Sequence, residues 1–514
     1  MFNSRARYGS WLRAAFIGAA TLAGSSVARA GGASDFDAAS LLGVGGLQPV
    51  DAKLRAQVPE QPGQEAEDQQ AAPRHQAPFG VLSGAWDSKN FLGEIGGLRT
   101  VLDTAGISLN ITENAELFGN VTGGARRGAE GNGLTTMTLQ LDTEKAHMFS
   151  GGTFNVSALH IWGGNLTETN LMALQTLTGI EADRSLRLWE LWYDQKFADK
   201  YDVKIGAQAV DQEFMTSVSA GIFLNSAMGW GTLPAVNLPG GGPAYPLASL
   251  GVRGQAQLTD SVTVLGGIFS GSPLPAGSPN EQLSNPAGIA LPLNTGMFAI
   301  AELQYALNGG VGADKPDPHG PLPGTYKIGG WYNTESFDDL TYDNLGVPLP
   351  SPDSNGVPAS HHGNYSIYAL ADQTVWRAPD GGRSVTAFLR PMFTTFQDRS
   401  LVSFSINGGV TLHQPFAGRD NDVFGLGFGV AQVSSGQANF DRYMQFYQPS
   451  VYTPIQGAET FLEATYQAQI LPSVVVQPDI QYFINPGGGI PNPNDPTQRV
   501  KNELVLGIRT NITF

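Results

Sequence analysis

The 514-residue chain contains no cysteine, which excludes a disulfide scaffold and a thiolate metal site. Charged residues make up only 14% of the chain and hydrophobic residues 41%, and both shares are lower than a soluble globular protein usually has. After residue 30 no apolar stretch approaches the roughly 20 residues that a membrane-spanning helix needs. If this chain crosses a membrane, it therefore has to do so as a closed barrel of strands.

Glycine and proline are abundant, with 65 and 33 residues respectively. This content is too high for a helical protein and is typical of a chain with many turns between strands. The formal net charge is −16. A strongly acidic chain is a poor partner for the phosphates of nucleic acid, so we predict no nucleic-acid binding.

The first 30 residues predict a secretory signal peptide. Arginines at positions 5, 7 and 13 precede the apolar run 14–23, and Ala28-Arg29-Ala30 provides a small-x-small cleavage site. The run is too short to span a bilayer. Cleavage after Ala30 would remove four arginines and no acid, which lowers the net charge further.

Three further regions follow the predicted signal peptide. Residues 31–80 are rich in Gln, Pro, Gly and acids without an apolar period, which predicts a disordered periplasmic tail or linker. Residues 81–105 predict a short periplasmic helical segment containing Leu98, Val101 and Leu102. We expect residues 106–514 to form an all-β transmembrane barrel.

Alternating apolar and polar residues between turn signals predict about sixteen antiparallel strands in this region. The predicted strands are 106–118, 134–142, 151–162, 184–197, 201–210, 248–258, 261–270, 296–307, 324–336, 363–377, 382–396, 401–414, 420–434, 458–470, 473–484 and 500–514. Most are longer than the usual soluble strand and are suited to tilted membrane-spanning strands.

The last strand illustrates the two faces. Leu504, Leu506 and Ile508 fall on one side of an extended chain, while Glu503 and Arg509 fall on the other. Lipid outside and water inside would accommodate both faces. A secreted carbohydrate-binding β-sandwich also alternates, and it is the alternative from another class of protein.

The connections between predicted strands alternate in length. Tight turns at 198–200, 259–260, 378–381 and 471–472 alternate with long linkers, of which 163–183 and 211–247 are candidates to fold inward. Outer-membrane barrels have short periplasmic turns and long external loops, so we expect both chain ends in the periplasm. The long link 308–323 and the short link 397–400 break this pattern.

The sequence gives little support for an enzyme. Glu459 and Glu463 lie four residues apart on one strand, about 13 Å between Cα atoms, whereas glycoside hydrolysis needs carboxylates roughly 5 to 9.5 Å apart. Such a pair is better suited to accept hydrogen bonds from sugar hydroxyls. His361 and His362 are adjacent and would point to opposite faces of a strand. We predict no enzyme, no metal site and no cofactor.

Residues 184–195 contain the densest mixture of charge and aromatic rings. If Trp189, Leu191 and Tyr193 face lipid, Glu190 and Trp192 face the lumen. An inward Trp beside a carboxylate can stack on the apolar face of a sugar, although Trp192 as an interface aromatic is an equal alternative. Trp331 and Lys327 form a second group of this kind. The predicted pore-lining residues are Glu190, Trp192, Arg253, Lys327, Trp331, Glu459, Glu463, Gln477, Asp479 and Gln481.

Several motifs taken in order resemble the carbohydrate-selective porins of the OprB family. They include Leu92-Gly93-Glu94-x-Gly96-Gly97-x-Arg99, Gly151-Gly152-Thr153-Phe154, Leu188-Trp189-Glu190-Leu191-Trp192-Tyr193-Asp194-Gln195 and Gln477-Pro478-Asp479-Ile480-Gln481-Tyr482-Phe483-Ile484-Asn485-Pro486-Gly487-Gly488. Glu94 and Ile95 stand where the family often has Asp and Trp.

The resemblance implies a sixteen-stranded barrel in the outer membrane of a Gram-negative cell, through which monosaccharides and similar neutral solutes diffuse. It also implies that Phe514 is an interface aromatic and a signal for the barrel-assembly machinery. Sugars and outer-membrane lipid are then the expected partners. A general, non-selective porin is the alternative within the same class.

Overall fold

The computed structural model describes residues 88–198, 200–275, 282–312 and 320–514. The predicted signal peptide, the predicted 31–80 tail and residues 81–87 lie outside the described residues. Helix α1 (Leu98–Thr104) precedes the first strand, within the region where the sequence predicts a short helix. In the described ranges, no helix has both the length and the apolar character needed to cross a bilayer.

Sixteen antiparallel strands form a closed barrel, which confirms the predicted fold. In chain order they are β1 (Ile107–Gly124), β2 (Gly128–Asp142), β3 (Gly152–Gly163), β4 (Ser185–Phe197), β5 (Tyr201–Gln208), β6 (Ser249–Thr259), β7 (Val262–Ser270), β8 (Met297–Leu307), β9 (Gly324–Asp343), β10 (Pro358–Arg377), β11 (Ser384–Phe393), β12 (Val402–His413), β13 (Val423–Val433), β14 (Ala458–Leu471), β15 (Val474–Ile484) and, after a small hairpin of β16 (Pro491–Asn492) and β17 (Asp495–Arg499), β18 (Lys501–Thr513). Each strand pairs with its neighbours along the chain, and β1 pairs with β18 to close the barrel.

Two hairpins are longer than the sequence predicts. The β1–β2 hairpin continues through residues 119–133, and β9 and β10 continue through much of the predicted linker 337–362. The pairing of β2 with β3 ends at Asn132 opposite Gly163, so the tip of the hairpin extends beyond its neighbour. The tip packs on another segment, since Ala125 is 8% exposed and its N–H donates to the Asn170 carbonyl at 2.7 Å. A hairpin that extends beyond the lipid-facing wall does not need the apolar alternation by which the strands are predicted.

Long and short connections lie at opposite ends of the barrel. The end that carries both the start of β1 and the end of β18 has the short turns, apart from the connection 308–323 between β8 and β9. The other end has the long connections, including 164–184 between β3 and β4 and 209–248 between β5 and β6. Helix α4 (Ser435–Tyr447) lies in the connection from β13 to β14.

The connections 164–184 and 209–248, here called the inner loops, fold into the barrel. The second contains α2 (Ser226–Gly229) and α3 (Thr232–Asn237). Its Phe214, Trp230 and Leu233 pack with the wall residues Phe298 and Trp331 in one buried cluster. The hydrophobic core of the protein therefore lies inside the barrel, between the inner loops and the wall.

The outer face of the wall is apolar. Leu117, Leu186, Ile268 and Ile328 are between 57% and 67% exposed, while charged wall residues such as Glu116 point inward and are buried. This arrangement reverses that of a soluble protein. It is the arrangement of a barrel with lipid outside and polar groups inside.

Candidate functional site

The wall strands β14 and β15 hold both inner loops through side chains predicted to line the pore. Glu459 accepts hydrogen bonds from the backbone N–H groups of Leu174 at 2.7 Å and Gln175 at 2.8 Å, both in the first inner loop. It also accepts the Gly487 N–H at 2.6 Å. Glu463 accepts the Leu224 N–H of the second inner loop at 2.5 Å. These carboxylates satisfy loop backbone that would otherwise be buried without partners.

Two glutamines on β15 continue this set of contacts. Gln477 donates to the Ile222 carbonyl at 2.6 Å, and Gln481 donates to the Leu177 carbonyl at 2.9 Å. Gln481 also donates to Asp479 at 3.0 Å. With Glu459 and Glu463, these side chains are at most 3% exposed. The five predicted residues on β14 and β15 point inward but are covered by the inner loops.

Arg390 on β11 has a similar role and was not among the predicted residues. Its guanidinium donates to the carbonyls of Ala227 at 2.6 Å, Gly229 at 2.8 Å and Met228 at 3.0 Å. It is 1% exposed. The sequence did contain a signal for this residue, namely a single arginine between Leu389 and Pro391 in a predicted strand. Because charge on the lipid face is costly, such a side chain is expected to point into the barrel.

Charged residues of both signs lie on the inner wall at β4, β5 and β6. We call Asp202, Lys204, Arg253 and their partner Glu213 the charged ladder. Lys204 and Arg253 both form ion pairs with Glu213 at the start of the second inner loop, and Arg253 also pairs with Asp202. Lys204 Nζ lies 4.3 Å from the centroid of the Trp192 ring. Both cations of this ladder are therefore paired with carboxylates.

The second inner loop also contacts the wall at Glu190. Glu190 accepts the Ala209 N–H at 3.0 Å, where the loop leaves β5. Glu190 and Trp192 are both half-buried. They are therefore less completely covered than the predicted residues on β14 and β15.

The group around Lys327 and Trp331 divides between lumen and core. Lys327 donates to Thr216 Oγ1 of the second inner loop at 2.9 Å and lies 3.6 Å from Glu302. Trp331 is 3% exposed, and its ring centroid lies 6.1 Å from that of Phe298. The Lys327 side chain is only 8% exposed beneath the second inner loop, and Trp331 is a core residue that offers no free ring face for stacking on a sugar.

Uncharged polar residues lie on the inner face of β18, β1 and β2, next to the buried Arg509–Glu116 ion pair. Asn511 donates to Asn114 at 2.7 Å, and Gln140 donates to Asn155 on β3 at 3.1 Å. Asn511, Asn114 and Gln140 are half-buried. This stripe of amide groups offers both hydrogen-bond donors and acceptors without net charge.

The first part of the second inner loop, residues 212–218, remains partly exposed within the barrel. Gln212, Thr216 and Ser217 are half-buried, and Val218 is 51% exposed. A Cβ atom built on Gly312 would lie 3.2 Å from Val218, so the connection from β8 to β9 approaches this segment. Segment 212–218 and the amide stripe therefore contain partly exposed polar groups, whereas Lys204 and Arg253 of the charged ladder are 6% and 4% exposed.

The prediction that Trp189 faces lipid is wrong. Trp189 is 7% exposed, and its ring centroid lies 6.3 Å from that of Tyr245 in the second inner loop. Ser157 is opposite Glu190 and Ala158 is opposite Leu188, so Trp189 is an extra residue in a β-bulge. The bulge shifts the alternation by one residue, and both Trp189 and Glu190 therefore point inward.

The carboxylates on β14 and β15 have no access for a glycosidic bond. Glu463 and Asp479 are 3% and 2% exposed beneath the second inner loop. A general acid or base has to reach the scissile bond of its substrate. The arrangement therefore favours a structural role for these groups over hydrolysis.

Comparisons with known proteins identify the family. The carbohydrate-selective porin, OprB family, matches residues 126–514. Porin B of Pseudomonas aeruginosa is 24% identical over 454 residues, which cover 83% of this chain and 92% of that protein. The putative porin QuiX of Acinetobacter baylyi is 23% identical over 455 residues, with 83% and 94% coverage.

A solved structure agrees with the fold. The high-pH structure of Pseudomonas putida OprB superposes with a TM-score of 0.72 at 22% identity, and the match covers 84% of this chain and all of that one. The resemblance drawn from the sequence motifs is thereby confirmed, and the chain belongs to the carbohydrate-selective porin, OprB family.

Proposed function

We propose that this porin admits neutral, hydroxyl-rich solutes of monosaccharide size through the outer membrane. The observation that carries the proposal is the polar composition of the interior. The cations Lys204 and Arg253 of the charged ladder are paired with Glu213 and nearly buried, and the half-buried stripe containing Asn114 and Asn511 is uncharged. A sugar can therefore exchange its hydrogen bonds with water for hydrogen bonds with uncharged donors and acceptors.

The inner loops support selection by size. They occupy much of the barrel, and their backbone is tied to the wall through Glu459, Glu463 and Arg390. A small sugar can exchange its hydrogen bonds with water for hydrogen bonds with the wall, and the weak contacts permit release. A large oligosaccharide would have to displace loop segments that are anchored by several hydrogen bonds. No energy source or catalysis is required.

We infer the orientation from the two unlike ends of the barrel. In outer-membrane barrels the short turns lie in the periplasm and the long loops outside, which supports a periplasmic location for α1 and for the end of β18. The apolar outer wall then contacts lipid. A secreted carbohydrate-binding sandwich is not compatible with a closed barrel that exposes residues such as Leu186 and Ile328.

We also propose that Phe514 is read by the barrel-assembly machinery before the barrel closes. In the closed barrel, Phe514 packs edge-on against Phe91 at 6.1 Å between ring centroids, and its carbonyl accepts a hydrogen bond from Arg99. These contacts engage the terminal residue, so recognition of its ring and terminus belongs to an earlier stage of folding.

Proteoliposome swelling tests the proposed function. Vesicles containing the purified porin should swell faster in glucose than in gluconate, which has a similar size and carries a charge, and should swell very little in maltohexaose. Vesicles without protein and vesicles with heat-denatured porin provide the controls. Equal swelling in glucose, gluconate and maltohexaose would identify a general porin, and no swelling in any solute would contradict a pore.

A further inference from the structure

Three potential metal ligands from separate segments meet at the end of the barrel that carries the long connections. Asp339 lies on β9, His361 on β10 and Asp398 in the connection 394–401. His361 Nε2 is 2.8 Å from Asp339 Oδ2 and 3.6 Å from Asp398 Oδ2. One ligand atom from each residue lies within 4.8 Å of the other two.

The two carboxylates are oriented by further hydrogen bonds. Asp339 Oδ1 accepts the N–H groups of Thr341 and Tyr342, both at 2.7 Å, which leaves Oδ2 directed at His361. Asp398 is held by Arg399 through two hydrogen bonds of 2.9 Å. Hydrogen-bonded carboxylates of this kind are characteristic of metal sites, in which outer partners fix the ligands.

The charges of the group also suit a cation. Arg399 offsets one of the two carboxylate charges, and the negative charge that remains attracts a divalent cation.

The two distances from His361 to the carboxylates are close to the spacing expected around one ion. A tetrahedral ion with bonds of about 2.0 Å to nitrogen and oxygen places its ligand atoms about 3.3 Å apart. The observed separations of 2.8 and 3.6 Å lie on either side of that value. An imidazole among the ligands favours zinc and similar transition metals over calcium or magnesium.

We propose that Asp339, His361 and Asp398 bind a divalent transition metal ion, for which Zn²⁺ is the representative. Water would complete the coordination, because the side chains of His361 and Asp398 are 28% and 41% exposed and accessible from solvent. The ion would clamp the connection 394–401 to the extended β9–β10 hairpin. A backbone hydrogen bond of 2.7 Å from Leu340 to Asp398 already joins these two segments.

Equilibrium dialysis of the full-length, detergent-solubilised porin against Zn²⁺ tests the site. After chelator treatment and removal of the chelator, the wild type should bind one Zn²⁺ per chain at micromolar free Zn²⁺, measured by elemental analysis. His361→Asn and Asp398→Asn should each weaken binding about tenfold or more. Asp398→Asn changes a side chain that is 41% exposed, so we expect this variant to fold as the wild type does, and far-UV circular dichroism checks both variants.

The neighbouring histidine provides a matched control. His362 points away from the site, and its Nδ1 lies 3.3 Å from Ser336 Oγ. His362→Asn should bind Zn²⁺ as the wild type does. Absence of binding to the folded wild type, or equal loss of binding in His362→Asn and His361→Asn, would overturn the proposal.

Discussion

Polar side chains that point into this barrel differ in how completely the inner loops cover them. Glu459, Glu463 and Arg390 hold the inner loops through their backbone groups and are almost fully buried. Glu190 is half-buried and accepts the Ala209 N–H where the second inner loop leaves β5. Alternation along a strand predicts that a residue points inward, but it does not distinguish a loop anchor from a residue that contacts solute.

Glu459→Gln should loosen the first inner loop. Each carboxylate oxygen of Glu459 accepts two N–H donors. An amide would replace one of these acceptors with an NH₂ donor, leaving buried N–H groups unpaired at a cost of about 1 to 3 kcal/mol each. Hydrogen exchange of residues 172–176 should accelerate, and swelling in glucose should increase.

Glu144→Gln provides the matched control for this substitution. Glu144 is exposed in the turn between β2 and β3, so the same loss of one negative charge should leave exchange in residues 172–176 unchanged. Unaltered exchange in Glu459→Gln as well would mean that the carboxylate does not anchor the loop.

An unexpected carboxylate, that of Glu113 on β1, lies on the outer face of the barrel. Glu113 has the same orientation as the exposed Leu117, and it accepts hydrogen bonds from Trp162 at 3.1 Å and from Thr135. A carboxylate on a lipid-facing wall is costly, and these donors compensate part of the cost. The Trp162 indole crosses Gly133 on the intervening strand to reach it.

Gly133→Ala should therefore destabilise the barrel. A Cβ atom at this position would lie 1.9 Å from the Trp162 ring, so the indole would have to move and its hydrogen bond to Glu113 would be lost. Overpacking of this kind costs about 1 to 3 kcal/mol. The measurement is the free energy of unfolding by urea in lipid vesicles.

Gly131→Ala on the same strand is the control. The nearest atom to a Cβ built on Gly131 is the Glu116 carbonyl oxygen at 3.6 Å, which is an ordinary contact. Similar unfolding free energies for the two alanine variants would contradict the proposed packing of Trp162 on Gly133.

The elements also show where prediction from sequence fails. Each of the sixteen predicted strands corresponds to a barrel strand, because the apolar outer wall imposes a period of two on most of them. The bulge at Trp189 and the extended hairpins were not predicted. A bulge is specified by cross-strand geometry rather than by composition, and the tips of the hairpins extend beyond the lipid-facing wall that imposes the pattern.

At the scale of the whole molecule, closure joins residues from opposite ends of the chain. Arg509 on β18 forms an ion pair with Glu116 on β1 and donates to Thr178 of the first inner loop at 2.8 Å. Thr178 in turn donates to Glu116 at 2.8 Å. The seam of the barrel and an inner loop are therefore held by one buried network.

Arg509→Met should weaken the closed barrel strongly, since it leaves the Glu116 carboxylate buried without its cation. Loss of one partner of a buried pair costs about 3 to 5 kcal/mol. Adding Glu116→Gln should restore much of the stability. The readout is the temperature at which the compact barrel converts to the slower-migrating unfolded form on denaturing gels.

An exposed ion pair provides the comparison for the seam. Lys145 and Asp103 lie 3.8 Å apart, with side chains that are 64% and 73% exposed, so Lys145→Met should leave the transition temperature unchanged. A transition temperature for Arg509→Met equal to that of Lys145→Met would show that the buried pair does not stabilise closure.

The sequence by itself determined the sixteen-stranded barrel, its two unlike faces and its family, because alternation, turn residues and motifs are local features. It also predicted that residues such as Glu459 and Arg253 point inward. Only the tertiary structure decided what those side chains contact, since Leu174 and Glu459 are brought together by folding across 285 positions of the chain. Such long-range contacts depend on the paths of the loops inside the barrel, which no local pattern specifies.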